Sequence, residues 1–174
     1  MYLPQPPSLL KPSRSPKKSA PRLMDPHRRH IHKLRVQLTD ACNFRCFYCM
    51  PENAVFAPAK ELLTSTEFIE IVSGLVDHGI DEIRLTGGEP TLRKDFDEIV
   101  VGLSELTLSK FGLTTNGYFL EKKLPLLQEA GCQHINISLD SLKRERYHQI
   151  NRRDAFDRVF RALEKAIAMD FKVK

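Results

Sequence analysis

The sequence predicts an α/β protein: a parallel sheet made of four βα units and the start of a fifth strand. Two observations predict it. From about residue 34, short β-rich runs alternate with longer stretches of helical period, and at this spacing right-handed βαβ crossovers give parallel strands. The polar and glycine-rich motifs also follow strands directly, at the carboxyl rim where parallel sheets bind ligands.

The elements follow in order. "LRVQLT" (34–39) reads as a strand. "TSTEFIEIVSGLVDHG" (64–79) reads as a helix, with Thr64 and Glu67 at capping-box spacing, an apolar stripe of Phe68, Ile71, Val72, Leu75 and Val76, and Gly79 as its stop. "DEIRLT" (81–86) is the second strand, "DFDEIVVGLSEL" (95–106) a helix and "KFGLTT" (110–115) the third strand. "FLEKKLPLLQEAG" (119–131) is a helix whose Pro125 is expected to begin a second segment after a kink. "HINISL" (134–139) is the fourth strand, a short helix lies near 143–149, "DAFDRVFRALEKAIAMD" (154–170) is strongly periodic, and "FKVK" opens a fifth strand. A sheet of this extent is expected to leave an edge strand and apolar surface uncovered.

The 174-residue chain carries a formal charge of +5, but five of its 27 Lys and Arg residues fall in the first 24 positions, which hold no Asp or Glu. The remaining 22 basic residues balance 22 acidic ones. The basicity belongs to that stretch, and nucleic acid is not expected as a partner. With six prolines in its first 23 residues, the segment 1–24 is expected to be a disordered basic tail and 25–174 the folded part. No apolar run approaches the roughly 18 residues of a membrane span, and no secretory signal is visible. A reducing cytoplasm is expected, where clustered thiols suggest metal binding rather than disulfides.

"CNFRCFYCM" (42–50) places Cys42, Cys46 and Cys49 in the loop after the first strand. Three readings compete. Zinc would need a fourth ligand, drawn from His27, His30 or His32. Inert core cysteines fit poorly beside Asn43 and Arg45. A 4Fe–4S cluster held by three thiolates keeps one iron open for chemistry, and this reading is favoured. Cys132 stands just before the fourth strand, at the opposite rim, roughly 17–20 Å away by strand length, so a buried apolar role is expected for it. Arg35 and Arg84 lie within strands, where an inward charge is costly unless paired.

"LRVQLTDACNFRCFYCMP", "IRLTGGEPTLRKD", "LTTNG", "INISLDSL" and "INRRDAF" together resemble the radical S-adenosyl-L-methionine (SAM) superfamily, and within it the amino-terminal half of the molybdenum cofactor biosynthesis protein A family, the GTP 3′,8-cyclases. The resemblance runs from about Asp25 to Lys174. It implies a partial (β/α) TIM-type barrel. It also implies an enzyme that converts GTP to (8S)-3′,8-cyclo-7,8-dihydroguanosine 5′-triphosphate through a 5′-deoxyadenosyl radical made from SAM. Cys42, Cys46 and Cys49 would hold the 4Fe–4S cluster. Tyr48, Gly88, Glu89 and Ser138 match SAM positions, Glu89 as a supporting carboxylate, with Phe44 and Phe47 shielding the cluster. Arg35, Arg84 and Thr114 match GTP positions, with Thr115 as the alternative to Thr114, and Lys174 resembles a further substrate lysine. The implied partners are a flavodoxin- or ferredoxin-like electron donor and a downstream pterin synthase, and a homodimer is allowed. Ala41 and Gln37 depart from the family pattern. The family's carboxyl-terminal half, with a second cluster and a glycine tail, is not in this sequence, so an inactive truncated chain is expected. Another radical SAM maturation enzyme, or a zinc-binding module, is the alternative.

Overall fold

The computed structural model describes residues 22–174. Most of the expected tail lies outside the described residues, but its last three positions join the fold. Leu23 donates its N–H to the His78 carbonyl and accepts from Ile31 N, both at 3.0 Å, and Met24 bridges His30. The ordered part therefore takes in residues that the composition assigned to the tail, because Leu23 has core to pack against.

Five strands, β1 (Lys33–Gln37), β2 (Glu82–Thr86), β3 (Lys110–Thr115), β4 (His134–Ile137) and β5 (Lys172–Val173), form one sheet in sequential order. Every neighbouring pair is parallel. The crossovers carry α1 (Ser65–Asp77), α2 (Phe96–Ser104), α3 (Leu120–Glu129), α4 (Arg144–Asn151) and α5 (Phe156–Ala168). Sequential order with every pair parallel is the connectivity of a (β/α) barrel, and here β1 and β5 stay unjoined as edges. The first and fourth strands end two residues sooner than their sequence suggests, because the chain turns at the rim to build loops.

Strand alternation splits the sheet chemically. Ile83, Leu85, Phe111, Leu113 and Ile135 point into the main core with Phe68, Ile99, Leu103, Leu124 and Leu127 from the helices. Each fully buried Leu or Ile here contributes about 1.5–3 kcal/mol relative to exposure. The opposite face carries Lys33, Arg35 and Gln37 on β1, Glu82, Arg84 and Thr86 on β2, Gly112 and Thr114 on β3, His134 and Asn136 on β4, and Lys172 on β5. Uncovered apolar surface is thus not spread over the open sheet. Part of it lies in a groove of about 330 Å³ beside β1, lined by Leu34, Val36, Leu62, Leu63 and Ile71 among others.

The α1 capping box forms as its spacing predicts: Thr64 N donates to Glu67 Oε2 at 2.9 Å, and Glu67 N to Thr64 Oγ1 at 3.3 Å. Pro125 begins no second segment, since α3 is one helix through it. Only the bond to the Glu121 carbonyl is lost by a proline there, and burial of Leu120, Leu124 and Leu127 on the same helix offsets it. Cys132 is fully buried in the main core at the amino end of β4, where burial pushes its thiol up to about 12.

Candidate active site

The site is assembled from the loops that leave the carboxyl ends of four strands. After β2, Gly88 N donates to the Thr39 carbonyl and Glu89 N to the Ala41 carbonyl, both at 2.8 Å. This lashes the second loop to the first, backbone against backbone. A Cβ on Gly87 would collide with the Thr39 carbonyl, and one on Gly88 with those of Asp40 and Ala41. The glycine pair is therefore a packing requirement as well as an opening to a ligand. With its N–H engaged, Gly88 has its carbonyl left to offer.

Glu89 lies behind this contact, fully buried. Its carboxylate accepts from Thr91 N (3.2 Å) and the Thr91 hydroxyl, from Thr115 Oγ1 (2.7 Å) and from Asn116 N (2.6 Å). Burial raises its pKa, and the four donors oppose that rise. The supporting carboxylate expected from the sequence is taken up by the chain: it ties the second loop to the "TNG" turn and does not line the cavity. Asn116 continues the tie, with Nδ2 2.9 Å from Asn43 Oδ1 and 3.8 Å from Cys42 Sγ.

The cysteine loop is held from its other side by the end of α4. Arg45 N donates to the Asn151 carbonyl (3.2 Å) and Phe47 N to that of Ile150 (3.1 Å), while Cys46 Sγ lies 2.9 Å from Asn151 Oδ1. Phe44 is buried beneath the loop with Tyr147, Ala155 and Val159. Phe47, expected together with Phe44 to shield a cluster, is instead 61% exposed and meets Tyr48 edge-on. Tyr48 is exposed too, its hydroxyl donating to Asp140 Oδ1 at 3.0 Å.

Between these loops lies a cavity of about 240 Å³, lined by Cys42, Cys46, Cys49, Tyr48, Gly87, Gly88, Thr86, Thr114 and Ser138 among others. Among the described residues no three metal-binding side chains converge on a single-ion point; the thiols are spaced around the cavity. Burial raises the Cys42 thiol and pushes Cys46 up to about 11, with Asp140 adding to the latter. Thiols of this kind hold their protons until a cationic iron centre displaces them. Three thiols around one cavity, with one of them 3.4 Å from a backbone N–H (Phe44 N to Cys42 Sγ), fit a 4Fe–4S cluster better than a single zinc. The histidines that zinc would need lie at the other rim: His32 meets Asp81, just before β2, at 3.1 Å, and His30 pairs with Met24.

Arg35 and Arg84 are partners in the strand register, one above the other on the open face. The same row continues through Gly112 and His134 to Lys172. Arg84 lies across Gly112, where a Cβ would sit 3.3 Å from its Cζ, and its Nη1 reaches the Leu113 carbonyl at 3.3 Å. Neither arginine lines the cavity. They sit one alternation below Thr86 and Thr114, which do. His134 is shifted down by partial burial and by Lys110, Lys172 and Arg84, with Glu82 opposing, which marks the face as cationic. Lys174 extends the β5 pairing, its N–H reaching the Ile135 carbonyl at 2.9 Å.

The two threonines of "LTTNG" differ sharply. Thr115 Oγ1 is engaged by Glu89 and Gly117 N. Thr114 Oγ1 is buried with no partner among the described residues. Asn116 and Asn151 are site residues that the sequence motifs did not single out, whereas Thr115 is the alternative to Thr114 that the sequence offers. "TNG" and "INRRD" did stand out as motifs, but only the fold puts their amides beside sulfur.

The model of the radical SAM superfamily matches residues 36–174. The chain belongs to the radical SAM superfamily. This radical SAM chain is 45% identical over 152 residues to the GTP 3′,8-cyclase of Synechocystis sp., covering 87% of this chain and 46% of that protein. It is 45% identical over 159 residues to molybdenum cofactor biosynthesis protein moc-5 of Caenorhabditis elegans, covering 90% of this chain and 26% of that one. It is 44% identical over 140 residues to the mitochondrial GTP 3′,8-cyclase of Arabidopsis thaliana, covering 79% and 36%. The chain spans less than half the length of these relatives. Among solved structures, Streptococcus suis SuiB bound to S-adenosylmethionine superposes with a TM-score of 0.71 at 20% identity, covering 82% of this chain and 32% of that one. Methylornithine synthase gives 0.62 at 21% identity, covering 81% and 42%. At these identities the likeness is one of fold, and the fold is the partial radical SAM barrel that the sequence predicts.

Proposed function

We propose that this chain carries the SAM-cleaving part of a GTP 3′,8-cyclase in molybdenum cofactor biosynthesis. The observation that carries the reading is the layering of the open sheet face. The three-cysteine cavity lies at the rim, Thr114 lines it and carries a buried hydroxyl without a partner, and the Arg35–Arg84 pair lies one alternation beneath. Such layering suits a ligand with a reactive end at the rim and a polyanionic end below, as GTP has. Relatives named GTP 3′,8-cyclase at 44–45% identity support the substrate.

Cys42, Cys46 and Cys49 would hold a 4Fe–4S cluster. When bound, the cluster with SAM supplies a 5′-deoxyadenosyl radical able to take hydrogen from the nucleotide ribose. The chain's own residues bind and orient. The Gly88 carbonyl receives the SAM amino group, with Ser138 and the Tyr48 main chain beside it. Glu89 positions the loops. Arg35 and Arg84 present planar donors to the triphosphate, and Thr114 gives the nucleotide a hydroxyl with no competing partner. Lys174 lies on the same face within reach of β4. A flavodoxin- or ferredoxin-like protein would deliver the electron, a pterin synthase would consume the product, and a reducing cytoplasm would keep the thiols available. No helix among the described residues is long and apolar enough to cross a membrane.

Anaerobic reconstitution with iron and sulfide, followed by SAM and dithionite, tests the reading. The chain should release 5′-deoxyadenosine and retain GTP in equilibrium dialysis. GTP binding no tighter than that of an unrelated nucleotide triphosphate would reject the cyclase reading, while 5′-deoxyadenosine release alone would leave the chain in another radical SAM activity.

A further inference from the structure

Asn151 is 1% exposed and stands at the last turn of α4, directly against the cysteine loop. Its backbone carbonyl holds Arg45 N. Its side chain does two incompatible things. Oδ1 accepts a hydrogen bond from the Cys46 thiol, with sulfur and oxygen 2.9 Å apart, while Nδ2 is buried with no partner. A buried amide N–H without an acceptor is costly, about 1–3 kcal/mol. The pattern makes sense for a protonated thiol and fails for a thiolate, because the amide oxygen would then face a negative sulfur at hydrogen-bond distance.

A half-turn of the amide gives the thiolate a donor and the N–H an acceptor, and leaves Oδ1 in place of Nδ2 without a partner. It brings Nδ2 to Cys46 Sγ and moves the oxygen to the unpartnered position. An amide's O and N are nearly the same size, so the turn needs no repacking. Asn116 provides a comparison on the other side of the cavity. Its Nδ2 is already engaged by Asn43 Oδ1 and points toward Cys42 Sγ from 3.8 Å, and Cys42 also faces Phe44 N at 3.4 Å. Cys42 is thus served by N–H groups in the thiol state. Cys46 has no N–H of this kind among the described residues; the Tyr48 hydroxyl lies beside its sulfur and lowers its pKa, and Asn151 Nδ2 is an idle N–H donor next to it.

We infer that Asn151 Nδ2 donates an N–H···S hydrogen bond to the Cys46 thiolate when Cys46 binds iron, and that this donor raises the cluster's reduction potential. The inference rests on the cluster proposed above. Hydrogen bonds to ligating sulfur withdraw electron density and ease addition of an electron. Asn151 therefore acts as a positioning and tuning residue and not as a ligand.

The experiment is a potentiometric titration of the reconstituted chain followed by EPR of the reduced cluster, on the wild type, Asn151→Leu and Asn151→Asp. Both variants keep the side chain's shape and lack the N–H. Iron content close to wild type, with the midpoint shifted to a more negative potential in both and further in Asn151→Asp, is the expected result. Unchanged midpoints with a full complement of iron would overturn it, since a merely structural role moves thermal stability and leaves the potential alone. Pulsed EPR of the wild type labelled with ¹⁵N in asparagine side chains gives a reading that needs no variant. A ¹⁵N coupling to the reduced cluster at least as large as any from the more distant Asn116 is expected, and the absence of any asparagine ¹⁵N coupling would overturn the inference. Failure of the wild type to bind iron at all would instead strike the cluster assignment.

Discussion

The Thr115 hydroxyl donates to Glu89 Oε1 across 2.7 Å while accepting from Gly117 N at 3.0 Å, so both of its functions are spent inside the protein. Its neighbour Thr114 points the other way from β3, with its hydroxyl buried and unpartnered at the cavity. The alternation of a strand ties one threonine into the scaffold and leaves the hydroxyl of the next without a partner.

The pair predicts opposite outcomes for one chemical change. Thr115→Val strands the Glu89 carboxylate and the Gly117 N–H, and should lower stability by about 1–3 kcal/mol in urea unfolding. Thr114→Val removes a hydroxyl that has no partner, so the unfolding midpoint should stay within error while GTP affinity falls by about tenfold. Equal destabilisation by both would contradict the division.

Glu89 offers a second test. All four of its partners donate, so Glu89→Gln places an N–H against an N–H or hydroxyl donor and should cost about 2–3 kcal/mol of stability. Loosened loops should lower iron retention as well. A Gln variant as stable as wild type would mean the carboxylate is free to serve SAM directly, as the sequence alone suggests.

Arg35 and Arg84 should serve one end of the nucleotide together. Arg84→Ala should weaken GTP by roughly 10- to 100-fold, the value of a charge-assisted hydrogen bond, and leave SAM affinity nearly unchanged, because neither arginine lines the cysteine cavity. Competition dialysis with both ligands checks this. A parallel loss of SAM affinity would contradict the layered site.

The cationic face also predicts a titration. His134 is shifted below the ordinary imidazole range by partial burial, Lys110, Lys172 and Arg84. A histidine depressed in the folded state favours folding at pH above its unfolded pKa of about 6.5 and loses that contribution as pH falls from there through its lower folded pKa. GTP bound on this face supplies negative charge and should raise the His134 pKa, read from its imidazole proton shifts by NMR. A pKa unmoved by saturating GTP would place the triphosphate elsewhere.

Most of the architecture was legible in the residues because each element carried its own period and punctuation: a capping box at Thr64, a stripe from Phe68 to Val76, glycine after the helix. The rim position of the cysteines followed from strand order. Four features were not legible. Leu23 joins the fold through a contact with His78 that no local pattern announces. Pro125 stays within a continuous helix because tertiary packing on Leu124 and Leu127 outweighs one lost bond. Glu89 looks like a ligand-facing carboxylate until the donors from Thr115 and Asn116, more than 25 positions away, are seen to fill it. Asn151 is more hidden still, meeting Cys46 across 105 positions of sequence.

The central claim, that Cys42, Cys46 and Cys49 hold the cluster and Cys132 does not, is tested most directly by iron and sulfide quantification after anaerobic reconstitution of four single variants. Cys132→Ser should retain about four irons per chain, as expected for one 4Fe–4S cluster. Cys42→Ser, Cys46→Ser and Cys49→Ser should each lose the cluster. Loss of iron from Cys132→Ser equal to that from Cys46→Ser, with the fold intact by circular dichroism, would contradict the three-ligand rim site.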